Sequence, residues 1–173
     1  MAVPNSDFSI GRSPRVSDAY RLGLLALELA SQRVKDACQG PDIEQAAIET
    51  HFGLHAIYDI HEALFSNLRI KGWASQDKYY ADREGGVVGA LVAARGARTH
   101  DLISFASPGP FPDRPYGMGP YGKAWIWASY SWKERHWQQR SEWYATYVTN
   151  RVLWSPLDEA WFWFQQNTHT QRM

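Results

Sequence analysis

The chain has 173 residues, of which 45% are hydrophobic and 21% are charged, and its formal net charge at pH 7 is +0. These values are typical of one folded domain, and a zero net charge excludes the chain-wide positive field that gathers nucleic acid without specificity. The single cysteine, Cys38, excludes an intrachain disulfide and a cysteine-based zinc site and favours a cytoplasmic location, and no apolar run is long enough for a membrane span.

The chain begins with residues 1–16, a polar segment with two prolines that is expected to form an irregular arm. A single domain is expected over residues 17–168, because no linker or internal repeat interrupts them. The first helix is predicted to begin after Ser17, a favourable helix cap, and to end near Gln39, because a Gly-Pro pair follows.

The second helix is the longest predicted element and covers residues 43–70, with Asp42 as its N-terminal cap. Its apolar residues recur at spacings of three and four, so they form one stripe that faces the core. His61 lies on that stripe and is expected to be a hydrogen-bonded core histidine. A neighbouring stripe carries the polar side chains of His51, His55, Asp59 and Glu62.

A third helix is predicted over residues 82–106, after a polar and aromatic connection over residues 73–81. Its sequence is mostly apolar, which indicates packing against other helices. It nevertheless carries Arg95, Arg98 and His100 in its second half. Residues 107–122 are rich in proline and glycine and are expected to form a loop.

The C-terminal part differs from the rest, because eight of the nine tryptophans follow residue 120. Residues 124–132 alternate between two faces, which predicts a strand, and residues 143–154 are interpreted as its partner in a hairpin over about residues 123–154. A last helix is predicted to start at Ser155, with Pro156 at its first helical position. The predicted fold class is therefore mostly α: a bundle of three long helices and a C-terminal helix, with a small antiparallel β hairpin inserted before the last helix.

Arg95 and His100, with four residues between them, are the most specific functional clue in the sequence. This R-x4-H spacing, on a long apolar helix in an all-helical first half, resembles the motif of the HEPN family. The resemblance covers the motif and the helices of roughly residues 18–106, and not the tryptophan-rich segment. HEPN domains are small helical bundles; many are metal-independent endoribonucleases of toxin–antitoxin and other defence systems, and others are inactive or bind nucleotides.

The resemblance implies that this chain cleaves RNA without a metal ion or a cofactor. His100 would move a proton between the 2′-oxygen and the leaving oxygen, and Arg95 would bind the phosphate. Support for this pocket is expected from Asp59, His55, Glu62 and Arg98. Two copies of the motif form one composite site in many members of the family, so a homodimer is expected, with a cognate antitoxin or regulator as a further partner.

Other interpretations stay open from the residues alone. The chain can instead be a catalytically silent helical module that binds a protein or nucleotide partner, with Arg95 and Arg98 solvated or paired with acidic side chains. The row of His51, His55 and Asp59 has a spacing that suits a divalent metal ion. The tryptophans after residue 120 lie among lysines and arginines, which suits either core and dimer-interface packing, the interpretation that we favour, or a platform for stacked bases.

Overall fold

The computed structural model describes residues 18–106 and 124–170, with side chains described as far as Asn167. The predicted irregular arm, the predicted cap at Ser17 and the predicted loop over residues 107–122 lie outside the described residues. Within the described part, no helix is both long enough and apolar enough to cross a membrane.

The described residues form a mostly helical bundle with one small antiparallel sheet, which confirms the predicted fold class. The α-helices are α1 (Asp18–Ala37), α2 (Ile43–Leu68), α3 (Trp73–Tyr79), α4 (Arg83–Ala94), α5 (Gln138–Tyr147) and α6 (Trp154–Thr170). Two short 3-10 helices follow α4 and precede α5: the first is Thr99–Leu102 and the second is Arg135–Trp137. The strands are β1 (Ile103–Ala106) and β2 (Ala124–Trp127).

The first two helices agree with the sequence prediction to within two residues at each described end. Asp42 caps α2 as predicted, because its carboxylate accepts hydrogen bonds from the backbone N–H groups of Glu44 at 2.9 Å and Gln45 at 3.3 Å. Side chains of α1 and α6 pack against α2 at Gly53, where a β-carbon would lie 3.2 Å from the end of the Leu157 side chain and 3.7 Å from the β-carbon of Ala30.

The predicted third helix is wrong at its C-terminal end, because α4 stops at Ala94 and not at residue 106. The backbone N–H groups of Gly96 and Ala97 each bond to a carbonyl three residues back, which tightens and ends the helix. The residues after the first 3-10 helix then form β1, which pairs with β2 so that Ile103 lies opposite Trp127. Long-range strand pairing therefore overrides the local helical pattern. The predicted connection over residues 73–81 contains the short helix α3.

The predicted hairpin is wrong in its second strand. Residues 124–127 form β2 as predicted, but β2 pairs with β1, and residues 143–147 of the region expected to be the second strand belong to α5. Among the described residues of that region, Val152 alone forms a β-bridge, and its partner is Ile126 of β2. This region is helical because Arg140, Tyr144 and Val148 recur at a spacing of four and bury their side chains on one helix face. Helix α6 begins at Trp154, one residue before the predicted cap.

Candidate functional site

The outward side of α2 carries a row of polar and aromatic side chains that we call the α2 polar face. Its members are Glu44, His51, His55, Tyr58, Asp59 and Glu62, all exposed or half-buried. The predicted shared face of His51, His55, Asp59 and Glu62 is therefore confirmed. The end of α4 and the first 3-10 helix lie against this face, where Nδ1 of His51 is 3.3 Å from the hydroxyl oxygen of Thr99.

Arg95 lies at the C-terminal end of α4 and contacts the middle of the α2 polar face. Its guanidinium carbon is 4.2 Å from the centre of the Tyr58 ring, a cation–π contact, and the Arg95 side chain is exposed. Burial, and then the negative charge of Glu62, raise the pKa of Tyr58. Arg95 is thus held over a ring and open to solvent.

His51 and His55 form an adjacent pair on this face, with ring centroids 4.4 Å apart. The pKa of His55 is lowered by burial, by His51 and by the positive charge of Arg95, while Asp59 acts in the opposite direction. A lowered pKa keeps this imidazole neutral at pH 7 and able to accept a proton. Arg95, His55, His51 and Asp59 therefore share one electrostatic neighbourhood.

His100 lies at another part of the same face. Its Nε2 is 3.2 Å from a carboxylate oxygen of Glu44, and both side chains are more than half exposed. Glu44 and Tyr58, the contacts of His100 and Arg95, are fourteen residues apart on α2, which is roughly 21 Å along a helix axis. Arg95 and His100 therefore have separate contacts within one chain. Arg98 is exposed at the start of the first 3-10 helix.

The metal interpretation of the histidine row finds no support in the geometry. Among the side chains that the structure describes, no group of three or more histidine, cysteine, aspartate and glutamate residues is arranged to hold a metal ion. A divalent ion needs several ligands around one point, and His51 and His55 have no third such ligand in the described part of the chain.

A second arginine, Arg140, has a role that the sequence reasoning missed. It is fully buried, its Nε donates a hydrogen bond to Asp77 at 2.7 Å, and its guanidinium carbon lies 4.5 Å from the centre of the Trp73 ring. The available signal was the spacing of Arg140 with Tyr144 and Val148, which is that of a buried helix face. The contacts with Asp77 and Trp73 join segments more than 60 residues apart, and no local pattern reveals them.

His61 is buried beside Arg140, and the prediction of a hydrogen-bonded core histidine is confirmed. Its Nδ1 is 2.7 Å from the hydroxyl oxygen of Tyr80. Burial, and then the charge of Arg140, lower the pKa of His61 to about 3. Its ring stacks on Trp73 with a centroid distance of 5.9 Å and faces Tyr58 at 5.8 Å, so it connects the interior to the α2 polar face.

A separate exposed surface on α1 is apolar, and we call it the leucine face. It consists of Leu22, Leu25 and Leu29, which are 57%, 53% and 53% exposed and follow the helical spacing of three and four. Between α1 and α6 lies a groove of about 500 Å³, to which Leu25, Leu29, Trp161 and Phe162 contribute. The groove contains none of the side chains that the sequence singled out for catalysis.

Comparison of this chain with protein-family models, with curated proteins and with solved structures found no match in any of the three.

Proposed function

We propose that the protein is a metal-independent endoribonuclease of the kind that the HEPN resemblance implies, and that the α2 polar face is its active site. The observation that carries this proposal is the neighbourhood of Arg95 and the His51–His55 pair, whose rings are 4.4 Å apart. An exposed cation for the phosphate and two proton carriers are the groups that RNA cleavage without a metal requires.

In the proposed reaction the 2′-oxygen of RNA attacks the neighbouring phosphorus. His55, kept neutral by its lowered pKa, takes the proton from the 2′-hydroxyl, and the bond between the 2′-oxygen and phosphorus forms. The bond from phosphorus to the 5′-oxygen breaks, and His51 donates a proton to that leaving oxygen. Arg95 binds the phosphate oxygens, on which negative charge accumulates.

This assignment differs from the family-based expectation in the identity of the proton carrier. The resemblance gives that role to His100, which pairs with Glu44 at the other end of the face. In a homodimer with a composite site, the second copy's His100 would have to approach Arg95. The two arrangements give different results when His55 and His100 are replaced separately.

The test is incubation of single-stranded RNA with the purified protein in excess EDTA. Cleavage by the wild-type chain is expected, with a loss of about 100-fold or more in Arg95→Ala and His55→Ala. Arg21→Ala is the matched control, because Arg21 is an exposed arginine on α1 whose ion pair is with Asp18 of the same helix. A greater loss in His100→Ala than in His55→Ala would support the composite site. Intact RNA with a folded wild-type chain would overturn the proposal.

A role as a toxin or defence nuclease in the cytoplasm forms part of this proposal through the resemblance alone. Expression of the wild-type chain in a bacterial host should then arrest growth, and expression of Arg95→Ala at the same level should not. Co-purification of a protein that relieves the arrest would identify an antitoxin. Equal growth with both chains would remove the toxin role.

A second candidate function is a non-catalytic dimeric binding module, which the leucine face favours. Three leucines on one exposed stripe expose a large apolar area that a partner helix would cover. The face suits a second copy of α1 in antiparallel orientation, with Leu22 opposite Leu29. In that register Asp18 lies opposite the second copy's Arg33, and the two side chains are 89% and 55% exposed.

Light scattering after size exclusion tests this association. We expect a dimer that Leu25→Glu converts to a monomer. Asp18→Arg and Arg33→Asp should each weaken the dimer, and the two changes together should restore it, because the opposite charges are exchanged. A monomeric wild-type chain, or a double variant weaker than both single variants, would contradict this arrangement. RNA that stays intact with a dimeric chain would favour the binding module over the nuclease.

A further inference from the structure

Two tryptophans from distant parts of the chain lie together at one end of the bundle, and we call them the tryptophan pair. Trp73 begins α3, Trp137 ends the second 3-10 helix, and their ring centroids are 4.7 Å apart. Both side chains are only half-buried. The exposed ring of His136 extends the group, with its centroid 4.9 Å from that of Trp137.

The two segments that carry the tryptophan pair are strongly basic. Residues 69–78 and 133–140 contain six lysines and arginines and two acidic residues, in a chain whose net charge is +0. The six are Arg69, Lys71, Lys78, Lys133, Arg135 and Arg140. All except Arg140 are exposed. The two half-buried rings therefore lie on segments with a local excess of positive charge.

Arg140 lies buried beneath the pair, where it forms an ion pair with Asp77. Its guanidinium carbon is 4.5 Å from the centre of the Trp73 ring and 5.4 Å from that of Trp137. Only its Nε is hydrogen-bonded, to Asp77; its two terminal nitrogens have no hydrogen-bond partner among the described residues. Asp77 neutralises the charge of Arg140, and the guanidinium holds the two rings in place through cation–π contacts.

A chain of ring contacts connects the tryptophan pair to the proposed active site. Arg95 lies over Tyr58, Tyr58 faces His61 at a centroid distance of 5.8 Å, and His61 stacks on Trp73 at 5.9 Å with only 14° between the ring planes. These contacts run through the buried His61, so they place Arg95 and the pair close together in the fold, at a separation that a few nucleotides of a single strand can span.

We propose that the tryptophan pair is a stacking platform for single-stranded RNA. A base of the strand stacks on the exposed ring surface, and the exposed cations Lys71, Lys133 and Arg135 bind the adjoining phosphates. Bases in a duplex are stacked on each other, so the platform selects unpaired RNA. This inference rests on the proposed function, because it assigns to the same enzyme the segment of substrate next to the cleaved bond.

Fluorescence anisotropy with a labelled 2′-O-methyl oligonucleotide tests the platform without cleavage, because the blocked 2′-oxygen cannot attack phosphorus. We expect saturable binding that weakens about tenfold or more in Trp137→Leu. Arg135→Ala should weaken binding and reduce its salt dependence by about one counterion. Trp161→Leu is the matched control, because Trp161 is a half-buried tryptophan on α6, and its binding should equal that of the wild type.

The outcomes separate the platform from the nuclease. Unchanged binding in both Trp137→Leu and Arg135→Ala, or equal binding of the annealed duplex, would overturn the platform even if RNA is cleaved. Weakened binding in those two variants supports the platform even if the wild-type chain leaves unmodified RNA intact, a result that would remove only the nuclease. An oligonucleotide that does not bind the folded wild-type chain would also overturn the platform.

Discussion

Two regions of this molecule contain the same three components: an arginine, an aromatic ring beneath it and a histidine with a lowered pKa. In the outer region, Arg95 lies over Tyr58, and the pKa of His55 is lowered by burial, His51 and Arg95. In the inner region, Arg140 lies over Trp73, and the pKa of His61 is lowered by burial and Arg140.

The two regions differ in burial, and that difference separates their roles. Arg140 and His61 are fully buried, and each has a hydrogen-bond partner in or directly after α3, so removing either leaves an unpaired group in the interior. Arg95 is exposed and His55 is half-buried, so both are accessible to a ligand. The same contacts therefore stabilise the fold in one region and are available for chemistry in the other.

Replacement of the two arginines should show the greatest difference in stability. Arg140→Met should lower the free energy of unfolding by about 3–5 kcal/mol, because it leaves the Asp77 carboxylate without its buried partner. Arg95→Met should lower it by about 0.5–1 kcal/mol, the value of an exposed cation–π contact. Urea unfolding of both variants measures this, and similar losses in the two would refute the distinction.

The buried histidine should make stability depend on pH. The pKa of His61 is about 3 in the folded chain and has its ordinary value of 6.5 in the unfolded chain, so the unfolded chain binds this proton first as the pH falls. Above pH 6.5 the neutral His61 contributes fully to the free energy of unfolding. This contribution, a few kcal/mol in total, is lost as the pH falls toward 3. His61→Asn should show a flatter decline in urea unfolding across this range; parallel curves would contradict the assignment.

Two glycines of the same part of the chain should respond differently to alanine. A β-carbon at Gly89 would lie 2.7 Å from Trp143 and 3.3 Å from Tyr80, next to the inner region, whereas at Gly96, after Arg95, its nearest contact is 3.6 Å. Gly89→Ala should lower the free energy of unfolding by about 1–3 kcal/mol through overpacking. The higher helix propensity of alanine should offset up to about 1 kcal/mol of this loss. Gly96→Ala should be near neutral. Thermal unfolding compares the two, and an equally stable Gly89→Ala would show that Trp143 moves freely.

The smallest effect concerns the outer histidine. The positive charge of Arg95 lowers the pKa of His55, so Arg95→Gln should raise that pKa while leaving the fold unchanged. An NMR titration of the imidazole signals measures the shift. Arg98→Gln removes an exposed arginine that does not contribute to the pKa of His55 and should leave the titration unchanged. An equal titration midpoint in Arg95→Gln and the wild type would show that the charge of Arg95 does not lower the pKa of His55.

Sequence alone predicted the features that depend on neighbours along the chain. The spacing of apolar residues gave α1 and α2, the side chain of Asp42 gave a helix cap, and the apolar stripe gave a buried His61. These features arise within a few residues, so local patterns are sufficient.

The errors arose where distant segments meet. The apolar pattern of α4 continues in the sequence past Ala94 and predicts a longer helix, but residues 103–106 pair with β2. The aromatic residues of α5 resemble a strand until their packing on α4 glycines is known. For the site, the sequence grouped Arg95 with His55 and Asp59 but had no signal for Tyr58 or for the contacts of Arg140, which come from other helices.

The most direct test of the division between the two regions is cleavage of single-stranded RNA in EDTA by the wild-type chain and by Arg95→Gln, with urea unfolding of the same preparations. We expect the wild type to cleave, and Arg95→Gln to cleave about 100-fold or more slowly while its unfolding midpoint changes little. A folded wild-type chain that leaves RNA intact, or an Arg95→Gln variant as active as the wild type, would contradict a catalytic outer region.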